Sequence, residues 1–179
     1  MSIRRFADMP WPNDPWRLRH VATQDRQRLR ALLDDYLQEL SAFSPVDTAY
    51  RYFDLYFEDA DRSAYMIDVV DAGAWTPAGF ALVNRHACSG LPVDHAMAEF
   101  CVLPDVRRTG LGHRAANRIL ALHPGVWELG VSQFNAAAWS FWRRVTERFP
   151  NVETISAGER RILRFESPDG ERRIACEEG

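Results

Sequence analysis

The sequence contains no lysine, and all 22 of its basic residues are arginine. A chain without lysine cannot form a Schiff base through a lysine amine, and it lacks the residue that phosphate-binding loops of the GxxxxGK(S/T) type require. Cysteine is also scarce. Cys88, Cys101 and Cys176 have no CxxC spacing, which argues against a disulfide framework or a zinc site and predicts reduced thiols in a cytoplasmic protein.

Long apolar runs and a surplus of positive charge are missing as well. No stretch approaches the roughly 18 apolar residues that span a membrane, and the first residues lack the apolar core of a signal peptide. The formal net charge of −3 argues against a nucleic-acid or membrane partner. With 179 residues, 46% of them hydrophobic, the chain predicts one globular domain over residues 16–179 after an arm over residues 1–15.

Hydrophobic periodicity predicts a strand, two helices, three strands, a helix, a strand, a helix and a final strand pair. The first helix begins near Thr23 and the second, rich in aromatic residues, begins at Pro45. The other predicted elements are residues 16–21, 64–70, 78–86, 94–103, 110–123, 126–131 and 135–149, followed by two strand-like runs around the turn SPDG. An antiparallel meander that feeds one β-α-β crossover is an α+β, or mixed α/β, fold.

The segment VRRTGLGHRAA, residues 106–116, places two glycines between a strand and a helix. Gly110, Gly112 and Ala115 match the letters GxGxx(G/A) of a dinucleotide-binding loop. That loop, however, follows its strand directly and needs an acidic residue about 20 positions on, where this chain has Ser132. A plain turn could also require the glycines. An anion site explains the glycines, the arginines and the helix together, because unpaired amides at a helix start bind phosphate groups.

Two motifs resemble those of the GNAT superfamily of N-acetyltransferases. The acetyl-CoA signature Q/R-x-x-G-x-G/A is matched by Arg107, Gly110 and Gly112. A second family segment, N-x-x-A-x-x-F/L-Y, is matched by Asn135, Ala138 and Phe141 up to its last position. The similarity runs over residues 16–166. It implies a GNAT-like fold, with a twisted, mostly antiparallel sheet, helices on both faces and acetyl-CoA as co-substrate.

The resemblance also implies which residues hold acetyl-CoA. In this family the pantetheine arm pairs with the strand before the signature, and the signature amides bind the pyrophosphate. The implied cofactor-binding residues are Phe100, Cys101, Val102, Arg107, Arg108, Thr109, Gly110, Leu111, Gly112 and Asn135. The two arginines would add positive charge, and Asn135 would cap a helix besides reaching the pantetheine. No metal is predicted, because the histidines show no HxH or HxxxH spacing.

Glu99 is the candidate catalytic general base. Strand alternation predicts that it shares a face with Met97, Cys101 and Leu103, in apolar surroundings that raise the pKa of a carboxyl group. GNAT enzymes often carry a base on this strand, although a solvated or ion-paired glutamate would produce the same pattern. Cys101 lacks a partner histidine at a suitable spacing and is predicted to be a core residue.

Trp142 departs from the family, in which a tyrosine often stands here and protonates the departing CoA thiolate. An indole N–H cannot act as that acid. Two interpretations remain open: the proton comes from water or another residue, or the chain is a non-catalytic acyl-CoA-binding module of the same fold. The spacing of Phe141, Trp142 and Val145 is also that of a core-facing helix stripe.

Residues 34–61 contain eight acidic residues, seven aromatic residues and one arginine, Arg51. We hypothesise that they form an acidic, aromatic-lined cleft for the primary amine of an acceptor, a cationic small molecule or a peptide. The alternative is that the acids coat the outer sides of two helices while the rings fill the core. The strand pair at the end of the chain is compatible with a homodimer.

Overall fold

A computed structural model describes residues 15–168 of the chain. Its strands are β1 (Trp16–His20), β2 (Ser63–Asp71), β3 (Ala74–Asn84), β4 (His95–Val102), β5 (Gly125–Ser132), β6 (Glu153–Ala157) and β7 (Arg160–Ser167). The α-helices are α1 (Arg26–Leu40), α2 (Leu111–Leu122) and α3 (Ala136–Thr146). The seven strands form one sheet in the order β1-β2-β3-β4-β5-β7-β6.

Strand pairing is antiparallel except between β4 and β5, which run parallel and are connected through α2. This arrangement confirms the predicted α+β fold and its single β-α-β crossover. The predicted hairpin of β2 and β3 is present, and it turns at Ala72 and Gly73, both with positive φ.

The helices cover both faces of the sheet, as predicted. On one face Leu29, Leu33 and Leu37 of α1, spaced four residues apart, pack in one cluster with Met66 and Phe80 of the sheet. On the other face, apolar residues of α2 and α3 pack around the fully buried Trp127. Within the described part of the chain, no helix is long and apolar enough to span a membrane.

The predicted second helix is wrong. From Pro45 the chain runs through turns, and its only helical piece before β2 is a short 3-10 helix, Asp54–Phe57. Tyr50 has φ +44°, a left-handed conformation that an α-helix cannot contain. Phe53 and Tyr56 then turn inward and are buried, whereas Tyr52 is exposed, so two of the rings fill the core without a regular helical stripe.

The end of the described chain differs from the prediction by one strand. The run before SPDG is β7, and it pairs with β6, which the sequence analysis missed, around a turn at Gly158 with φ +59°. All but one residue of β6 are exposed, which explains the lack of an apolar pattern. The strand-like run after SPDG and the arm up to residue 14 lie outside the described residues.

Candidate functional site

An open strand edge marks the centre of the site. β4 pairs with β5 only from His95 to Met97, and the two strands then separate. The N–H of Leu103 donates to the carbonyl of Ala78 on β3, so the alternate peptide groups of Phe100 and Val102 point away from β3, into the gap. The peptide groups of Cys101 face β3 instead. Of the three residues predicted for pantetheine, two therefore present their backbone at the open edge and Cys101 does not.

The glycine turn lies at the end of this gap. Gly110 has φ +86° and caps the N-terminus of α2, with open space where a Cβ would stand. The amides of Gly112 and His113 start the helix without an intrahelical acceptor, as a phosphate site requires. Arg108 is exposed at the same turn. The Thr109 hydroxyl stabilises the turn itself, because it donates to the Val106 carbonyl at 2.8 Å.

Gly112 has a packing role besides the phosphate-binding role that the sequence predicts for its amide. A Cβ at this position would lie 3.3 Å from Cγ2 of Val102 and 3.4 Å from Cε2 of Phe141. The glycine therefore lets α2 approach the two side chains that border the gap. Leu111, also predicted in the cofactor site, sends a fully buried side chain into the core, so only its backbone faces that site.

The guanidinium of Arg107, predicted to add positive charge at the phosphate site, is paired with a carboxylate instead. Its two terminal nitrogens donate to both carboxylate oxygens of Glu39 on α1, at 2.8 and 2.7 Å. Its Nε donates to the carbonyl of Val102 at 2.8 Å. The guanidinium expected to face an anion thus ties α1 to the end of β4, and its charge is balanced by Glu39.

A β-bulge in β4 determines where Glu99 lies. Met97 pairs with Val83 and Glu99 with Leu82, so Ala98 is an extra residue without a partner on β3. Met97 packs with α2 and α3, whereas Ala98 packs with α1 on the opposite face. The predicted sharing of one face by Met97 and Glu99 is therefore wrong, because strict alternation fails across a bulge.

Glu99 faces the α1 side of the sheet, where it meets two tyrosines. Burial raises the pKa of Glu99 to about 7, against the hydrogen bond from Tyr50, the charge of Arg160 on β7 and the hydrogen bond from Tyr36. A carboxyl group whose pKa is raised towards neutrality can take up a proton at neutral pH, which suits a general base. Sequence reasoning found Glu99 but not the tyrosines, because their contact with it is remote in the chain.

The α3 helix closes the other side of the gap. Asn135 caps it as predicted, its Oδ1 accepting from the Ala138 N–H at 3.0 Å. Trp142 is only 7% exposed and packs edge-to-face on Phe100, with ring centres 5.2 Å apart, while Phe141 stacks on Phe100 at 5.7 Å. Trp142 therefore has the core-facing position that its helix spacing indicates.

Cys101 and the histidines do not suggest further chemistry here. Cys101 is buried, and that burial raises the pKa of its thiol to about 12, so it is neutral and unreactive at physiological pH. His20 and His123 both pack on Tyr65, and His95 packs on His123. Between residues 15 and 168, no group of three or more histidine, cysteine or acidic side chains could hold a metal ion.

The predicted acidic cleft is largely neutralised. Six of the eight acids form ion pairs with arginines, five of which lie outside the 34–61 window: Asp34–Arg30, Glu39–Arg107, Asp47–Arg51, Asp54–Arg26, Asp59–Arg62 and Asp61–Arg85. A groove of about 430 Å³ between α1 and residues 49–54 is lined by three arginines and one acid, Asp54. Most of the local negative charge counted along the sequence is thus offset in three dimensions.

The loop between β3 and β4 is anchored next to the site by residues for which the sequence predicted no role. Glu128 of β5 is fully buried and accepts from the hydroxyl of Ser89 at 2.6 Å and its N–H at 3.0 Å. Arg164 donates to the same carboxylate at 2.6 Å. This anchor holds Cys88 against Gly130, whose missing Cβ would lie 3.4 Å from the sulfur. The sequence signal for this anchor was the position of Glu128, an acidic residue in the middle of a strand predicted to be buried.

Comparisons with known proteins agree with this geometry. A model of the acetyltransferase (GNAT) family matches residues 27–146. An acetyltransferase from Thermus thermophilus has a TM-score of 0.60 at 18% identity, over 86% of this chain and 96% of its own. The PaiA N-acetyltransferase from Thermoplasma acidophilum, in complex with coenzyme A, has a TM-score of 0.58 at 11% identity, over 85% and 99%.

A third solved structure, the spermidine N-acetyltransferase from Vibrio cholerae in complex with CoA and spermine, has a TM-score of 0.56 at 11% identity, over 84% of this chain and 94% of its own. At such identities the likeness concerns the fold. Among curated proteins, none matches the sequence.

Proposed function

Because the chain belongs to the acetyltransferase (GNAT) family, we propose that it transfers the acetyl group of acetyl-CoA to a primary amine of a small molecule or a peptide. The observation that carries the proposal is the open edge of β4, which ends at the Gly110 turn and has Glu99 beside it. The CoA complexes among the structural neighbours support the use of an acyl-CoA.

The residues at the gap fit acetyl-CoA. The peptide groups of Phe100 and the N–H of Val102 would pair with the pantetheine arm, since the Val102 carbonyl already accepts from Arg107. The amides that follow Gly110 would bind the pyrophosphate. Arg108 is the arginine available for the phosphate charge, since Arg107 is engaged with Glu39. When bound, the thioester supplies an activated acetyl group.

Glu99 would act on the acceptor. An amine attacks the thioester carbonyl only in its neutral form and must lose a proton as the C–N bond forms and the C–S bond breaks. The Glu99 carboxylate, directly or through a water, would accept that proton. The CoA thiolate would then take a proton from solvent, because Trp142 has no acidic group to offer.

The test is calorimetric titration with acetyl-CoA, CoA and NAD, followed by a thiol-release assay with an amine panel that includes polyamines, aminoglycosides, amino acids and basic peptides. We expect acetyl-CoA to bind and at least one amine to be acetylated. Glu99→Gln should reduce kcat by about 100-fold or more and leave acetyl-CoA affinity unchanged, since a positioned base contributes about 10²–10⁴-fold. Binding of NAD without CoA would overturn the proposal.

A second candidate is a non-catalytic acyl-CoA-binding module. Trp142 favours it, because this side chain packs in the core at the position where a proton donor would be expected. Tight acyl-CoA binding with no thiol release for any amine would support the module. Turnover that Glu99→Gln abolishes would support the enzyme.

A further inference from the structure

Arg160 of β7 reaches over the start of the gap. Its backbone pairs with that of Ser132 on β5, and its Cδ lies over Gly130 of the same strand, 3.8 Å from the position that a Cβ would take there. The sulfur of Cys88 lies over the same glycine, 3.4 Å from that position. A larger side chain at residue 130 would displace both groups, so the glycine leaves the arginine a path across β5.

Gly130 and Glu99 lie on the same face of the sheet, on opposite sides of the gap. Leu129 and Val131 pack with α2 and α3, so alternation along β5 places Gly130 on the α1 face. The last pair between β4 and β5 involves Leu129, and Gly130 follows it directly. Glu99 lies on the α1 face of β4 just beyond that pair. Arg160 is therefore directed across β5 towards the side of the gap that carries the candidate base.

The charged side chains that flank this position are paired with each other. They form the ion pairs Glu128–Arg164 on β5 and β7 and Glu39–Arg107 at the end of α1. Arg160 is exposed instead, and its guanidinium has no ion pair or hydrogen bond with any residue from 15 to 168. Glu159, in the turn before it, is exposed as well and is not bonded to it. The unbalanced charge that faces the candidate base across β5 is therefore positive.

The charge of Arg160 acts on Glu99 without touching it. Burial raises the pKa of Glu99 and that of Cys88, and the Arg160 charge opposes both increases. No ion pair joins the guanidinium to the Glu99 carboxylate in the described part of the chain. The two groups thus lie close enough to interact through their charges, with space for a small substrate group between them.

We propose that Arg160 binds a carboxylate of the acceptor, so that the acceptor is an amine that also carries a carboxylate, as an amino acid does. A guanidinium donates two parallel hydrogen bonds to a carboxylate. The amine of such an acceptor would face Glu99 while its carboxylate faces Arg160. One guanidinium balances one negative charge, which favours a carboxylate over a phosphate monoester with its charge of about −1.5 to −2. The proposal deepens the proposed function, on which the acceptor amine rests.

This acceptor class differs from the cationic one that the acids of residues 34–61 suggested. Most of those acids are paired with arginines, whereas Arg160 is not. A second positive charge on the acceptor would therefore meet the Arg160 cation beside the base. Polyamines should be poorer acceptors than amino acids for this reason.

The test compares acceptors that differ only in the carboxylate. The α-amino acids and the linear amino acids from glycine to 6-aminohexanoate are each assayed against their carboxamides by thiol release from acetyl-CoA, with spermidine as the polycation. Each carboxamide has the same size and a less basic amine, so a preference for the carboxylate cannot arise from the amine itself. Measurement at pH 8.5 keeps Glu99 ionised, because this pH is above its pKa of about 7.

We expect the preferred amino acid to have a kcat/KM at least about 10-fold above that of its carboxamide. Arg160→Met should raise the KM for the amino acid by about 10- to 100-fold, as expected for the loss of hydrogen bonds between charged groups, and should leave kcat nearly unchanged. The KM for the carboxamide and the affinity for acetyl-CoA should not change. Arg160→Lys keeps the charge but loses the planar pair of donors, so its KM should be intermediate.

The matched control is Arg161→Met. Arg161 is the next residue on β7 but faces α3, where its guanidinium carbon lies 4.2 Å from the centre of the Trp139 ring. The variant removes the same charge from the other face and should leave the preference for the carboxylate unchanged. A loss in Arg160→Met that both acceptors share would indicate an effect on Glu99 and would overturn the proposal. Equal use of amino acid and carboxamide by the unmodified chain would overturn it too.

A binding measurement separates this result from that of the proposed function. Calorimetric titration of the CoA-saturated chain with the amino acids needs no turnover. Binding that Arg160→Met weakens by about 10- to 100-fold, without acetylation of any amine, would support the carboxylate site and refute the proposed transfer. Acetylation with no preference for a carboxylate would support the transfer and refute the carboxylate site. If amino acids are neither bound nor acetylated, the carboxylate site is refuted.

Discussion

Replacing Arg164 with methionine tests how much stability the anchor of the β3–β4 loop contributes. The variant keeps most of the aliphatic stem and removes the guanidinium. Among the described residues, this leaves Ser89 as the only hydrogen-bond donor to the Glu128 carboxylate. Glu128 has no exposed surface, and its partner Arg164 is 20% exposed. Breaking a buried pair from one side costs about 3–5 kcal/mol. The Ser89 bonds and this exposure reduce the figure, so we expect a loss of about 2–3 kcal/mol at pH 7.

The pH dependence gives this prediction a second signature. Burial by itself would raise the pKa of Glu128, but the hydrogen bonds from Ser89 and Arg164 lower it below its ordinary value. A lowered carboxyl pKa contributes stability that is present above the unfolded-state value and is lost as the pH falls through the folded-state value. Without Arg164 the folded pKa rises. The difference between the two proteins should therefore be largest near pH 7 and shrink towards pH 4.

Urea denaturation followed by tryptophan fluorescence at pH 7 and pH 4 measures both quantities. Arg160→Met is the matched control, because Arg160 lies on the same strand and is exposed, with no ion pair among the described residues. It should change the free energy of unfolding by less than about 0.5 kcal/mol. A loss below about 1 kcal/mol in Arg164→Met, or an equal loss at both pH values, would refute the reasoning.

Three further predictions concern single residues. Gly110→Ala should lower the free energy of unfolding by about 1 kcal/mol in urea denaturation, because φ +86° is unfavourable for a residue with a Cβ; an unchanged value would contradict this. With Cys176 replaced by serine, iodoacetamide at pH 7.5 should modify the exposed Cys88 and spare Cys101, as read by peptide mass spectrometry. Burial and the neighbouring His95 and His20 lower the pKa of His123 to about 4, so its contribution to stability is complete above pH 6.5 and is lost as the pH falls towards 4. His123→Gln should reduce the loss of unfolding free energy between pH 6.5 and 4.5 by about 1–2 kcal/mol, after allowance for the partial exposure of His123. Urea denaturation at the two pH values measures this loss, and an equal loss in both proteins would contradict the reasoning.

Local features of the site could be predicted from sequence because neighbouring residues determine them. The glycine turn, the Asn135 cap and the apolar stripe of α1 depend on contacts within a few positions, and each lies where its pattern indicates. The antiparallel meander and its single β-α-β crossover could be predicted as well, since a hairpin and one crossover leave few alternatives, although β6 could not.

Features that depend on distant partners could not be predicted. The bulge at Ala98 puts Glu99 on the opposite face from Met97, and no local sequence pattern predicts a bulge there. The charge count over residues 34–61 did not include arginines from other elements that pair with its acids. One of them is Arg107, which pairs with Glu39 across 68 positions. The aromatic run after Pro45 predicts a helix, but Phe53 and Tyr56 pack into the core from a chain that turns at Tyr50.

The bulge in β4 also bears on the kinetic order of the proposed reaction. It puts the Glu99 carboxylate on the α1 face, while the adjacent Phe100 packs with α2 and α3 on the other face and opens its peptide groups to the gap. A thioester lying in the gap and an amine approaching from the α1 face would not compete for space. The neutral Cys101 thiol, the only cysteine on this strand, offers no nucleophile to store the acetyl group. Initial-rate plots should therefore intersect, as they do when both substrates are bound at once, and parallel lines would indicate an acetylated enzyme instead.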